Sequence, residues 1–259
     1  MRLLKTLRLA TRDFIHEWQM SICFVLALAA VLGPMLVLFG LKFGIVGGMI
    51  EQLVDNPANR EIRPVGSGRF DDDWFTRMRY RPDVEFIVPR IRSIAATVEL
   101  DSDNSRRIVR TELIPSGKGD PTLPPEILLP EGLSSVVLST EAASKLNVEM
   151  GDRVEANVTR RLENRNERVT LTLRVAGVAP SSAFERDGAF ADIALVEAVD
   201  DYRDGRAVEA LGWHGDEPVG ERQYPGFRLY ANSIYAVSGL KEDLAIQGID
   251  VRTKAADID

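Results

Sequence analysis

Residues 21–40 have the sequence SICFVLALAAVLGPMLVLFG, and none of these twenty residues carries a charge. The uncharged window extends from Trp18 to Leu41. An α-helix rises about 1.5 Å per residue, so twenty residues cover roughly the 30 Å of a bilayer's hydrocarbon core. We therefore predict a transmembrane helix over residues 18–41. A buried helix of a water-soluble protein is disfavoured, because such helices are rarely uncharged over this length.

The charges before this window predict its orientation. Residues 1–17 contain four basic and two acidic residues, Arg2, Lys5, Arg8, Arg12, Asp13 and Glu17. Because basic flanks stay on the cytoplasmic side, we expect the N-terminus inside and the residues after about position 45 outside. A cleaved signal peptide is disfavoured, because a long apolar stretch follows the small-residue site at positions 27–29. A lipoprotein signal is rejected, because Cys23 lies near the start of the apolar run and not at its end.

The segment before the window has an apolar stripe at helical spacing, with basic residues on the other side. The stripe is formed by Leu3, Leu4, Leu7, Phe14, Ile15 and Trp18. This pattern predicts an amphipathic helix over residues 1–17 that lies on the cytoplasmic surface and contacts membrane lipid. The alternative is a plain basic flank that only sets the orientation.

Small residues mark one face of the predicted transmembrane helix. They are Ala29, Gly33, Gly40, Gly44 and Gly48. Such a face lets a second helix approach closely, although glycine is common in membrane helices and this spacing also arises by chance. The sequence FGIVGGMIEQLVDN then predicts that the helix continues outward as a stalk over residues 42–56, before a break at Pro57.

The rest of the chain has the composition of a folded, water-soluble protein. Of all residues, 45% are hydrophobic and 27% are charged, which is enough to bury a core. The net charge of −7 argues against a nucleic-acid partner. One cysteine excludes a disulfide within the chain, and two histidines leave little for a transition-metal site. We expect no cofactor and no metal.

The outer part shows the same plan twice: a strand, a short amphipathic helix, a breaker, an Asp-Val pair and a second strand. The two copies lie in residues 57–103 and 226–259, and we expect them to pair into one split βαβ sheet. Residues 104–225 form a mostly β insertion between them. There Ser139 is a predicted helix N-cap, and a turn at Gly151-Asp152 precedes an alternating strand. The fold class is therefore α+β.

The sequence matches no catalytic motif, so we do not expect an enzyme. The sequence SGKGD at 116–120 fails as a phosphate-binding loop, because Glu112 and Gly119 occupy positions that need Gly and Ser or Thr. Neither His16 nor His214 is placed to activate a nucleophile. Three aromatic residues in or beside a turn-rich loop form a possible partner-contact surface, with local packing as the alternative: Trp213, Tyr224 and Phe227.

Several of these stretches together resemble the start of a MacB/FtsX/LolC-type ABC transporter permease. The resemblance rests on the amphipathic N-terminal segment, residues 1–17, on the apolar helix and on the sequence VVLSTEAASKLNVEMGDRV. It also rests on the stalk GLKFGIVGGMIEQLVDNPANREIRP and on the closing GIDVRTKAADID, which is similar to the segment before that family's second membrane helix. The resemblance covers essentially the whole chain, and its motifs are structural, so they indicate a family better than a substrate.

The resemblance implies a bacterial inner-membrane protein with four spanning helices and one large periplasmic domain. That domain would have a Porter-like split βαβ part, residues 57–103 and 226–259, and a Sabre-like β-rich part, residues 104–225. ATP would be bound by a separate ABC ATPase subunit, and the permease would pair with a second permease copy. Members of the family serve lipoprotein release, export of small molecules or peptides, or envelope signalling that includes type VI secretion control.

The chain departs from the family's pattern at its end, because it stops where the second spanning helix is expected. We expect a fragment of a permease subunit that transmits ATPase motion to a periplasmic domain. The alternative is a single-pass, membrane-anchored periplasmic scaffold or sensor that binds another envelope protein or a lipoprotein partner.

Overall fold

The computed structural model describes Thr6, Arg12, His16 and residues 18–92, 96–162, 165–217 and 220–254. The chain divides into two compact units, residues 1–55 and residues 56–259. The first contains one long helix, α1, which runs without interruption from Trp18 to Asp55 and includes Pro34. Its segment Trp18–Gly44 has a mean hydropathy of 2.8 and is long and apolar enough to cross a membrane.

The structure therefore contains an apolar N-terminal helix, as predicted, and α1 continues beyond residue 41 to Asp55, through most of the segment predicted as a helical stalk. Most of the predicted amphipathic stripe lies outside the described residues: Leu3, Leu4, Leu7, Phe14 and Ile15. Trp18, the last member of that stripe, is the first residue of α1 and is exposed. The prediction of a membrane-surface helix stays a prediction.

The second unit begins with a short helix and a four-stranded sheet. The helices on this part are α2 (Pro57–Arg60), α3 (Asp72–Arg79) and a later helix at Ala236–Ile246. The strands are β1 (Glu61–Pro64), β2 (Val84–Arg90) and two later strands, Gly226–Ala231 and Val251–Thr253. Each neighbouring pair in the sheet is antiparallel, and the first strand lies between the two later ones.

One face of this sheet is covered by the two longer helices. Phe227 and Leu229 alternate with Arg228 and Tyr230 along one strand, so the apolar pair and the polar pair lie on opposite faces. The apolar pair packs with a cluster that includes Ile62, Trp74, Phe75, Met78, Val237, Leu240 and Leu244. The other face carries Arg228 and Tyr230, and it is the face on which the cleft described below is built.

Between these two halves of the sheet the chain forms a closed six-stranded barrel. Its strands are β3 (Thr97–Ser102), β4 (Ser105–Ser116), β5 (Ser135–Ser139), β6 (Arg153–Leu162), β7 (Arg165–Ala179) and β8 (Gly188–Asp192). Around the barrel they follow the order β3-β4-β8-β5-β7-β6. The pairs β4/β8 and β5/β7 are parallel, and the other neighbours are antiparallel.

Two helices pack on the barrel, α4 (Thr140–Leu146) and α5 (Ile193–Arg203), and a short 3₁₀ turn follows at Glu209–Leu211. The remaining elements are then β9 (Gly226–Ala231), α6 (Ala236–Ile246) and β10 (Val251–Thr253). Alternate residues of β6, Val154, Ala156 and Val158, point into the barrel core, which confirms the predicted alternation.

The predicted start of α4, the first helix on the barrel, is also confirmed. Ser139 caps α4, and its hydroxyl accepts hydrogen bonds from the backbone N–H groups of Ala142 (3.2 Å) and Gly188 (3.0 Å). Gly151 has a φ of +99°, a left-handed conformation that favours glycine, and its N–H donates to the carbonyl of Val175. This turn directs β6 back along β7.

One sequence boundary differs from the structure. Residues 57–103 were expected to belong to the split sheet, whereas β3 (Thr97–Ser102) pairs with β4 and β6 in the barrel. The sheet ends at Arg90 on this side. The local pattern of β3 is that of a half-buried strand in either place, and its pairing with β6, which lies far along the chain, places it in the barrel.

Candidate functional site

A cleft of about 640 Å³ lies between the open face of the sheet and the barrel. Its walls come from the end of β4, from the loop after it and from the loop before β8, and its floor includes Arg228 and Tyr230 of β9. All of these residues belong to the unit formed by residues 56–259. The cleft combines several charged side chains with proline and aromatic surfaces, as ligand sites commonly do.

The floor of the cleft is held by a buried ion pair between Arg228 and Asp120. The Arg228 side chain is 7% exposed and that of Asp120 is 0% exposed. Nη1 of Arg228 donates to Oδ2 of Asp120 at 2.9 Å and to the carbonyl of Pro115 at 2.6 Å. Its Nη2 contacts the hydroxyls of Thr122 and Tyr230, each at 3.3 Å. Nearly every N–H donor of the Arg228 guanidinium therefore has an acceptor, which a buried charge requires.

Asp120 organises the loop that follows β4. Its carboxylate accepts hydrogen bonds from the Ser116 hydroxyl at 2.8 Å, from the Thr122 hydroxyl at 2.6 Å and from the Thr122 backbone N–H at 3.0 Å. These bonds form a turn in which an aspartate side chain binds the backbone two residues further on. The same carboxylate thus fixes the loop and holds the arginine of β9.

Burial is the largest effect and disfavours the charged form of Arg228, but the attraction of Asp120 and the contacts with Tyr230 together outweigh it, and the pKa of Arg228 is raised. The guanidinium therefore stays charged inside the cleft. Burial also raises the pKa of Tyr230, so its hydroxyl stays protonated beside the arginine. We name the contact of Arg228 with Asp120 the buried latch, because it joins the sheet to a loop of the barrel.

The rim of the cleft carries a second charged group, in which two arginines share one carboxylate. Arg90 of β2 contacts Oε1 of Glu112 at 3.0 Å, and Arg186 contacts Oε2 at 3.4 Å. The guanidinium of Arg186 also lies 5.2 Å from the ring centre of Phe184. Arg186 is 76% exposed and Glu112 is 22% exposed, so solvent reaches this group.

The apolar wall of the cleft is a small cluster that is separate from the barrel core. Its buried members are Ile114, Leu123, Val137, Ala179 and Phe190, and Phe184 packs against them. Six further residues that line the cleft are prolines, Pro57, Pro115, Pro121, Pro124, Pro125 and Pro180. Proline has no backbone N–H and a fixed φ, so this wall is stiff and offers few donors.

A second polar region joins α5 to the segment that leads into β9. Arg222 forms ion pairs with Asp200 and Asp201, and the Tyr224 hydroxyl donates a hydrogen bond to Glu197. Burial is the main cause that raises the pKa of Glu197 and that of Asp200. Burial, and the bond to Glu197, likewise raise the pKa of Tyr224. This network contacts a smaller cleft of about 420 Å³.

The three aromatic residues predicted as a possible contact surface are buried, which agrees with the alternative of local packing. Trp213 is 7% exposed and packs on Tyr202, with ring centres 5.2 Å apart. Tyr224 is 5% exposed, and Phe227 is completely buried in the cluster between the sheet and its helices. Burial of such large rings is strongly favourable, and this stabilisation explains their presence beside glycine-rich and proline-rich turns.

The predicted helix-packing residues all lie on α1. Apart from the neighbouring residues and the backbone of α1 itself, no atom lies within 4 Å of a Cβ built on Gly33, Gly40, Gly44 or Gly48, and Ala29 is exposed. The face is therefore open within the described residues, and its role in packing stays a prediction.

Sequence reasoning missed both the buried latch and the shared carboxylate. The sequence KGDPTLPPE contains an Asp-x-Thr pattern, which is a signal for a side-chain turn. Nothing local indicates that the aspartate meets an arginine 108 residues later.

Among the described residues, no group of three or more His, Cys, Asp and Glu side chains is arranged to hold a metal ion. No family model matches this chain, and no curated protein matches it.

Proposed function

We propose that the chain is a permease subunit of a bacterial inner-membrane ABC transporter of the MacB/LolC/FtsX type. In this proposal the N-terminus is cytoplasmic, α1 crosses the inner membrane and residues 56–259 form a periplasmic domain. The sheet corresponds to a Porter-like part and the barrel to an inserted Sabre-like part. A partner ATPase binds ATP, and the subunit transmits the ATPase motion to its periplasmic domain for lipoprotein or small-molecule export, or for envelope signalling, including type VI secretion control.

The observation that carries the proposal is the continuity of α1. Its 38 residues give a helix about 57 Å long, of which the apolar segment takes about 40 Å. The helix therefore extends beyond the apolar segment for about 16 Å without a break. Pro34 is a site at which a helix typically bends, and no proline follows it in α1. In this proposal the segment after Pro34 carries a displacement of the membrane helix along its axis to residue 55.

Two further observations support the proposal. The glycine face of α1 is open, as a helix that packs against other membrane helices requires. In the domain, the sheet is built from two chain segments that flank the barrel, so both ends of the domain's chain lie in the same sheet. That arrangement suits a domain inserted between two membrane helices.

The alternative function is a single-pass periplasmic scaffold or sensor that binds another envelope protein. The observation that favours it is that the described residues contain one helix able to cross a membrane. In that case the anchor needs no ATPase and no second permease copy.

The test is extraction of the native protein from its own membrane, followed by intact mass measurement and identification of co-purifying proteins. The permease proposal expects a mass above 28.7 kDa, with peptides from further apolar spans, and an ABC ATPase in near-equal amount. A mass that matches this chain, with no ATPase, contradicts the permease proposal and supports the anchored scaffold.

A variant of the helix face sharpens the same test. Replacement of Gly40, Gly44 and Gly48 by leucine blocks close helix approach, so we expect loss of the co-purifying ATPase. The matched control replaces Val31 and Met35, which lie on the opposite side of α1, by leucine and leaves the complex intact. If the glycine variant assembles as the control does, the packing face is refuted.

A further inference from the structure

The cleft carries an excess of positive charge in an acidic protein. Five cationic side chains line it, Arg63, Arg90, Arg186, Arg228 and Lys254. Four acidic side chains oppose them: Glu61, Glu112 and Glu185, which line the cleft, and Asp120, which is buried beneath it. The chain as a whole has a net charge of −7. An anion is therefore favoured in this cleft over the rest of the surface.

One place in the cleft where the ion pairs leave positive charge in excess is the shared carboxylate on the rim. Glu112 neutralises one guanidinium, and it is in contact with two, Arg90 at 3.0 Å and Arg186 at 3.4 Å. One positive charge is thus left over at a place that solvent reaches. Because partly exposed ion pairs contribute little to stability, a ligand can exchange with them at low cost.

The geometry of the donors favours a planar oxyanion. A guanidinium presents parallel N–H groups that match the two oxygens of a carboxylate. A ligand carboxylate beside Glu112 would take the outer N–H groups of Arg186 and Arg90, while Glu112 keeps the inner ones.

The wall of the cleft next to these arginines favours a ligand that carries an apolar group. Phe184 lies under the Arg186 guanidinium, and Leu123, Pro124 and Pro125 continue the surface away from it. Prolines cannot donate backbone hydrogen bonds, so this wall does not satisfy a strongly polar ligand. A volume of about 640 Å³ is within the range of sites that bind small organic ligands.

We propose that this cleft binds a carboxylate joined to an apolar group. The carboxylate lies on Arg186 and Arg90, and the apolar group lies against Phe184 and the proline wall. Two sources have this chemistry: the C-terminus of a short apolar peptide, and a fatty acid. The proposal goes beyond transport and holds whether the chain is a permease subunit or an anchored sensor.

The test measures binding to the full chain in lipid nanodiscs by isothermal titration calorimetry, with empty nanodiscs as the background. The probes are acetyl-leucyl-phenylalanine and hexanoate, each compared with its own amide, which lacks the charge. We expect at least one acid to bind, and its amide to bind about tenfold more weakly or worse, as loss of a charged hydrogen bond requires. The peptide acid or hexanoate, whichever binds more tightly, identifies the source.

Three variants locate the site. Arg186→Gln removes the excess charge while Arg90 still pairs with Glu112, so affinity for the acid falls about tenfold. Glu112→Gln removes the competing carboxylate, so affinity rises. Arg107→Gln, on an exposed part of β4 outside the cleft, leaves affinity unchanged.

Opposite effects of Arg186→Gln and Glu112→Gln distinguish binding from damage to the fold, since damage would weaken binding in both. Arg186 is 76% exposed, so its replacement leaves the fold intact. The proposal is overturned if neither acid binds, if an amide binds as well as its acid, or if Arg186→Gln behaves like Arg107→Gln.

Discussion

Removal of one partner of the buried latch should destabilise the domain severely. Asp120→Ala leaves the guanidinium of Arg228 buried, with only neutral oxygens as acceptors, those of Pro115, Thr122 and Tyr230. Breaking a buried ion pair in this way costs about 3–5 kcal/mol. For a domain of this size each kcal/mol lowers Tm by about 2–4 °C, so we expect a fall of roughly 6–20 °C.

A double substitution separates the pair from the packing around it. Replacing a buried ion pair by apolar residues of similar volume is often neutral or stabilising. Asp120→Leu combined with Arg228→Met should therefore be more stable than either single variant, with a coupling energy of roughly 1–3 kcal/mol.

The assay is urea unfolding of the full chain in detergent, followed by tryptophan fluorescence in a Trp18→Phe background. The remaining tryptophans report both parts of the domain, because Trp74 is buried beside the sheet and Trp213 beside the barrel. Arg63→Ala is the matched control, since Arg63 is 60% exposed in its pair with Glu61 and should cost less than about 1 kcal/mol.

The reasoning is refuted if Asp120→Ala costs no more than Arg63→Ala, or if the double variant loses the sum of the two single losses. Either result would mean that water enters the cleft floor and that the pair is not held in a dry environment.

Three other substitutions test the rest of the domain, each by urea unfolding of the full chain. Burial raises the pKa of Asp200 above its ordinary value of 3.8, so its contribution to stability is present at low pH and is lost as pH rises through the raised value. Asp200→Asn should therefore make the free energy of unfolding fall less steeply with pH; an unchanged slope would contradict this. Gly151→Ala forces a side chain into a left-handed conformation and should cost about 1–3 kcal/mol, whereas Gly117→Ala, which has open space and no such φ, should change stability by less than about 1 kcal/mol. Ser139→Ala leaves two backbone N–H groups without their hydroxyl acceptor and should cost about 1–3 kcal/mol, whereas Ser144→Ala on the exposed side of the same helix should cost less than about 0.5 kcal/mol.

Local signals in the sequence predicted local structure well. The uncharged run predicted the apolar part of α1, Ser139 predicted the start of α4, and the alternation at Val154, Ala156 and Val158 predicted the inward face of β6. Each of these features depends on residues within about one or two turns of chain, and periodicity and capping report such features directly.

Closure of the barrel could not be predicted in the same way. It requires β3 to pair with β6, and that contact joins Glu99 to Asn157. Pairing between distant strands leaves no local pattern beyond a half-buried alternation, so β3 was assigned to the wrong sheet. Local patterns also left open whether the aromatic residues are exposed: Tyr224 and Phe227 pack on Phe75 and Trp74, which lie far along the chain, whereas Trp213 packs on the nearby Tyr202.

The polar contacts between sheet and barrel have a consequence for how the domain moves. The barrel is inserted into the sheet, so two chain crossings connect them, and a hinge at those crossings would be the default expectation for such an insertion. Several side-chain links oppose that hinge, among them the buried latch on β9, the bond of Tyr224 to Glu197 on α5, and the ion pair of Arg90 on β2 with Glu112 on β4. The links reach different parts of the barrel, so a hinge motion about one is resisted by the others.

In the proposed transporter, a displacement that arrives through β1 would therefore move sheet and barrel together, and the barrel would not swing on its own. The cleft lies at this junction, with Arg228 in its floor and Arg90 and Glu112 on its rim, one from each side. A ligand on the rim arginines, Arg90 from the sheet and Arg186 from the barrel, would add a further link between the two parts. Occupancy should then stiffen the domain, and a stiffer domain transmits force from the membrane helix with less loss to internal motion.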